Sequence, residues 1–150
     1  MTKKRPWEGE PDRKEWRHRK VPCLIVRNAS GALCGYVGVP YDGKPYRDYS
    51  GQTTNDFERA LEDASHGGIT FRGTCQPGSK ICHTPLPGEP EVEWFGFDCA
   101  HSGDITPRFD SYPGGFALIL DQVAKYRDIG YVTKVCEAMA DIVADRETVP

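Results

Sequence analysis

The chain has 150 residues, 38% of them apolar and 11% aromatic, with a formal net charge of −3 and a pI near 5.8. That balance carries no strong nucleic-acid signal and excludes a broad attraction to anionic membranes. No stretch of about 18 apolar residues exists to cross a membrane, and the charged N-terminus lacks the apolar segment of a secretory signal.

The length predicts one domain with a real core. Sixteen glycines and twelve prolines favour turns and short strands over a helical bundle. Six cysteines without a CxxC pair, in a chain expected to be cytoplasmic, read as reduced and mostly buried thiols.

Residues 1–20 are rich in Lys and Arg and lack apolar periodicity. They read as a flexible basic arm with Trp7 and Trp16 as docking points. Residues 21–150 then form a single α+β domain. Cys23–Arg27 and Leu33–Val39, joined by Asn28-Ala-Ser-Gly31, predict a β-hairpin. Residues 40–53 are a Tyr-rich loop carrying Lys44 and Arg47. Thr54 or Asn55 caps a short helix whose inner face holds Phe57, Ala60, Leu61 and Ala64, and Gly67-Gly68 ends it.

Ile69–Arg72 is a strand, 73–91 an irregular loop, and Val92–Phe97 the strongest strand in the chain. Phe95 and Phe97 share one sheet face and Trp94 takes the other. Residues 98–116 are loop, and 116–126 are partly helical. Asp128 caps a last helix with a stripe of Val132, Val135, Cys136, Met139, Ile142 and Val143. That stripe, if exposed, offers a homo-oligomer contact. The sum is a small antiparallel sheet with two or three helices packed on it.

The chemistry concentrates in His66-Gly67-Gly68 and in Trp94-Phe-Gly-Phe-Asp-Cys-Ala-His-Ser-Gly-Asp104. If the strands beside these segments are antiparallel neighbours, His66 meets Asp98, His101 and Asp104. Each residue also has a plain role. His66 can satisfy helix carbonyls, and Asp98 and Asp104 can cap turns. Three chemistries fit the group. A divalent metal held by His66, Asp98, His101 and Asp104 would activate water. A carboxylate-oriented histidine would serve as a general base. A pure binding site would set His66 and the Gly67 and Gly68 amides on a phosphate, and Asp98 and Asp104 on hydroxyls. Two cysteine alternatives are a zinc brace from Cys75, Cys82, His83, Cys99 and His101, and a nucleophilic Cys99.

HGGITF, EWFGFDCAHSGD and YRDIGYVTKVCEAMADI, with the hairpin CLIVRNASGALCGYVGVP, resemble a family of small proteins encoded by tailed bacteriophages and prophages. The resemblance covers roughly residues 21–145. It implies a viral protein acting in the host bacterial cytoplasm. Accessory proteins of that kind often counter host immunity, some by sequestering or cleaving nucleotide-derived signals. The expectation is therefore a protein that binds a small phosphate-bearing or nucleotide-like ligand, through His66, Gly67, Gly68, Asp98, His101 and Asp104. The alternatives are a metal-dependent phosphodiesterase using the same side chains, and an inhibitor that docks on a host enzyme through the arm and Tyr loop.

Overall fold

Two continuous apolar runs, Val21–Arg27 and Leu33–Pro40, fold back on one another around an Asx turn. The Asn28 side-chain oxygen accepts from the amides of Ser30 and Ala32, at 3.0 Å each. Runs apolar on both sides suit strands with both faces covered. The computed structural model, which describes residues 5–41, 56–101, 103–107 and 125–147, makes them the centre of a sheet.

The sheet has five strands: β1 (Arg13–His18), β2 (Val21–Arg27), β3 (Leu33–Pro40), β4 (Phe71–Thr74) and β5 (Val92–Asp98). Their order is β1-β2-β3-β5-β4, and every pairing is antiparallel. A second, two-stranded parallel ribbon joins β6 (Asp104–Ile105) to β7 (Lys125–Tyr126). Helix α1 spans Asp56–Ala64 and α2 spans Ile129–Glu147. The α+β expectation is met, and no described helix is long and apolar enough to cross a membrane.

Strand alternation splits the core in two. On one face Cys23, Ile25, Leu33, Val37, Phe95 and Phe97 pack against Val132, Cys136, Met139 and Val143 of α2 and Leu61 of α1. Gly35 lets α2 come this close, because a Cβ there would lie 2.6 Å from the Cys136 sulfur. Most of the α2 stripe is thus packed on the sheet, with Val135 and Ile142 partly buried against the same cluster. Its N-terminus follows the sequence: the Asp128 carboxylate accepts the Tyr131 amide at 2.8 Å, and Glu10 accepts that of Ile129 at 2.8 Å.

The other face holds Leu24, Val26, Tyr36 and Trp94. The 75–91 loop covers it. Ile81 packs on this cluster, and the His83 ring meets the Trp94 ring edge-on at 5.2 Å. A disulfide joins Cys75 to Cys82, and Arg13 donates to the carbonyls of Lys80 and Cys82 at 2.6 and 2.5 Å. The expectation of six reduced cysteines is corrected here. A loop without a ladder of its own is held by a covalent clasp, while Cys23, Cys34, Cys99 and Cys136 are free and buried.

The flexible arm is corrected as well. Residues 13–18 pair with β2 along their whole length, and Trp16 packs against the core. Trp7 stacks edge-on with Tyr126 at 5.1 Å. Glu10 joins Arg27 at 3.0 Å and also bonds the Tyr126 hydroxyl. An edge strand needs backbone partners and one apolar anchor, not a period-two pattern. The Tyr-rich loop, the Thr54/Asn55 cap and most of the 116–126 helix lie outside the described residues.

Candidate metal centre

Strand β5 ends at Asp98, and the ladder continues one step further as the Cys99 amide donates to the Leu33 carbonyl at 3.1 Å. The chain then turns tightly. The Asp104 amide donates to the His101 carbonyl at 2.9 Å, and the His101 amide donates back to the Asp104 carboxylate at 3.1 Å. Gly103, at φ +92°, supplies the left-handed residue the turn needs. This turn faces His101 and Asp104 toward the neighbouring strand.

His66 arrives from the opposite direction. It follows α1 and precedes β4, which pairs with β5 through Phe71↔Gly96. Its Nε2 lies 2.8 and 3.0 Å from the two Asp104 oxygens. Its Nδ1 lies 2.8 Å from the Tyr131 hydroxyl, on the first turn of α2. Asp104 only accepts, so the neutral ring carries its proton on Nε2 and Nδ1 accepts from Tyr131. The His101 ring sits edge-on to His66, centroids 5.5 Å apart.

Asp104 is 3% exposed. Burial alone would raise its pKa, but hydrogen bonds from His66, Arg127 and the His101 amide outweigh that and hold the carboxyl below its usual range. Arg127 donates from Nε to Oδ1 at 3.0 Å, and its guanidinium lies 4.9 Å from the Tyr131 ring centroid. The β6–β7 ribbon explains why Arg127 is there: pairing Ile105 with Tyr126 brings the next residue alongside Asp104.

His101 is the odd member. Its Nδ1 is buried and makes no hydrogen bond. It faces two carboxylates, Asp98 at 3.6 Å and Asp104 at 3.5 Å, both beyond good hydrogen-bond length. Ligand atoms of His66, His101 and Asp104 all lie within 4.8 Å of one another. Two imidazoles and a carboxylate are a donor set for zinc, manganese or iron(II).

The surroundings match what ligands to a metal usually have. Tyr131 holds the far nitrogen of His66, and Arg127 holds one oxygen of Asp104 while the other faces the histidines. Asp98 stands beside the cluster, its own oxygens accepting from the Ala100 amide and the Thr70 hydroxyl at 3.0 and 3.3 Å. Gly67, at φ +77°, forms the floor. A Cβ there would lie 2.7 Å from the His101 ring. No described residue receives a hydrogen bond from the Gly67 or Gly68 amide.

Of the residues predicted from the sequence, His66, His101 and Asp104 meet at the centre with Asp98 and Gly67 beside them, whereas a Cβ on Gly68 would have only Glu62 within 4 Å. Arg127 and Tyr131 were missed. The signal for them was positional, since Asp128 as helix cap sets both at the helix start beside the last apolar stripe. The zinc brace is overturned: Cys75 and Cys82 are bonded to each other, and His83 pairs with Glu89. Cys99 is 2% exposed. Burial, with the nearby Asp104, Cys34 and Asp98, drives its pKa far above that of an ordinary thiol, so it supplies no thiolate. No protein-family model matches the chain, and no curated protein or solved structure resembles it significantly.

Proposed function

We propose that His66, His101 and Asp104 hold a divalent metal ion, and that the protein is a metal-dependent hydrolase acting on a phosphate ester of a small nucleotide-like molecule. The observation that carries this is the buried, unpartnered Nδ1 of His101, set between two carboxylates and beside a second imidazole. An orphaned buried nitrogen costs about 1–3 kcal/mol, and a bound cation removes that cost. Three protein ligands leave a coordination position for water, whose pKa a metal lowers toward neutrality. Asp98, one-third exposed beside the cluster, would serve as the base for that water. Arg127 and the free Gly67 and Gly68 amides favour an anionic group nearby.

Capture without turnover is the alternative, favoured by those same free amides. The same ligand would be held and not cleaved, as in a protein that sequesters a host immune signal. If the resemblance to phage-encoded proteins holds, either activity would be exercised in the host bacterial cytoplasm. Docking on a host enzyme through the arm and Tyr loop is the third reading, and it has less free arm to work with, because Arg13–His18 pair with β2.

Metal-free protein titrated with zinc, manganese and iron(II) tests the centre. One ion per chain, with the His66 proton moving from Nε2 to Nδ1 and on toward the Tyr131 oxygen, and loss of binding in His101→Ala, are expected. No binding of any ion would remove the centre. Mass analysis of a nucleotide panel, incubated with metal-loaded protein and then recovered by heat, separates the two activities. Altered masses mean hydrolysis, and intact release means capture.

A further inference from the structure

At the end of the sheet opposite the histidines lies a cavity of about 370 Å³. Its walls are apolar: Val21 and Pro22 of β2, Val92 of β5, and Val143 and Ala144 near the end of α2. Arg19, Lys20 and Glu89 stand around it. The volume is within the roughly 300–1,000 Å³ of small-molecule sites, which combine apolar walls with a few polar groups.

The charged residues are not equivalent. Glu89 is neutralised by Arg17 at 2.5 Å and bonded to His83 as well. Arg19 is held by Asp141 and Asp145 of α2 at 3.2 and 2.9 Å. Lys20 makes no ion pair among the described residues. Among the described residues it is the one cation lining the cavity without an ionic partner.

The turn that carries Lys20 is unusual. His18 pairs with Val21, so Arg19 and Lys20 form a two-residue hairpin loop. Both have positive φ, +50° and +70°. That loop normally takes Asn-Gly or Asp-Gly, since side chains disfavour the conformation. Two long cations occupy it instead. One anchors the turn to α2, and the other is displayed over an apolar hollow. Strain kept at a position is a pointer to function when the surroundings enforce it.

We infer that this cavity binds an amphipathic anion, a medium-length single-chain carboxylate, with its chain against Val21, Val92 and Val143 and its head on Lys20. The site is separate from the metal centre and does not depend on it.

Calorimetric titration of the full chain with decanoate, and with decanol as the neutral control, tests it. Decanoate is expected to bind one per chain. Lys20→Gly is expected to weaken decanoate at least fivefold and leave decanol unchanged. It is also expected to raise the thermal midpoint, because glycine relaxes the turn. Ala144→Phe, which narrows the hollow, is expected to weaken both probes. Absence of decanoate binding overturns the inference, as does an affinity unchanged in Lys20→Gly. Equal binding by Ala144→Phe would move the ligand elsewhere and overturn it too. If that variant does not fold, Lys20→Gly, on the exposed turn, decides alone.

Discussion

Replacing Tyr131 by phenylalanine removes one oxygen and leaves the ring where it is. The edge-on contact with His66, centroids 5.4 Å apart, and the Arg127 guanidinium 4.9 Å from the ring centroid survive. What is lost is the 2.8 Å bond to His66 Nδ1. As a purely structural bond it is worth about 0.5–1.5 kcal/mol of stability. As the group that orients a metal-binding imidazole it is worth more to the metal, since such losses weaken binding about 10–100-fold, or about 1.4–2.7 kcal/mol. The two roles separate in one pair of measurements. Calorimetric metal titration reads the second, and denaturant unfolding of the metal-free protein reads the first. A variant that loses about 1 kcal/mol of stability but keeps its metal affinity within twofold would refute the placement of Tyr131 behind a ligand.

Gly67→Ala forces a side chain into a φ of +77° and a Cβ to within 2.7 Å of the His101 ring. It should cost at least about 1–2 kcal/mol in thermal stability and weaken metal binding by displacing that ring, and an unperturbed titration would show that His101 takes no part. A thiol reagent should find no reactive cysteine in the native protein, four after unfolding without reductant, and six after unfolding with it. Glu89 has its carboxyl held below the usual 4.5 by Arg17, with burial opposing and His83 assisting. Its folded pKa is depressed, so its contribution is complete above pH 4.5 and fades as pH falls through the folded value. Glu89→Gln should flatten the acid side of a stability-against-pH curve, and an unchanged slope would count against the Arg17–Glu89–His83 cluster.

Much of the fold was legible because its signals were local. The β2–β3 hairpin, the helix cap at Asp128 and the alternation of Trp94 against Phe95 and Phe97 all rest on residues within a few positions of one another. The proximity of His66 to Asp104 followed from a single assumption, that β4 pairs antiparallel with β5. What was not legible depends on distant partners. Arg13–His18 shows no strand pattern, since its apolar anchor is one tryptophan and its ladder belongs to β2. Arg127 reaches Asp104 only because a two-residue ribbon joins segments 21 positions apart. The disulfide escaped because a seven-residue separation without CxxC looks like chance in a chain expected to be reduced.

The case for a cation rests on what packing alone would have chosen. Asp104 by itself needs none, because a buried carboxylate is tolerable when donors surround it, and it has Arg127, His66 and the His101 amide. His101 is different. With its proton on Nε2, its buried Nδ1 turns a lone pair toward two carboxylates, and acceptor faces acceptor. With its proton on Nδ1, the nearest oxygens are 3.5 and 3.6 Å away, too far for a good hydrogen bond. Neither tautomer repays the burial. A structural histidine would move a few tenths of an ångström and bond, yet this one is held off by the floor at Gly67 and by its own amide, which is committed to Asp104. A positive ion among Nδ1, the Asp104 oxygen and His66 Nε2 is the occupant that turns the opposition at His101 into attraction.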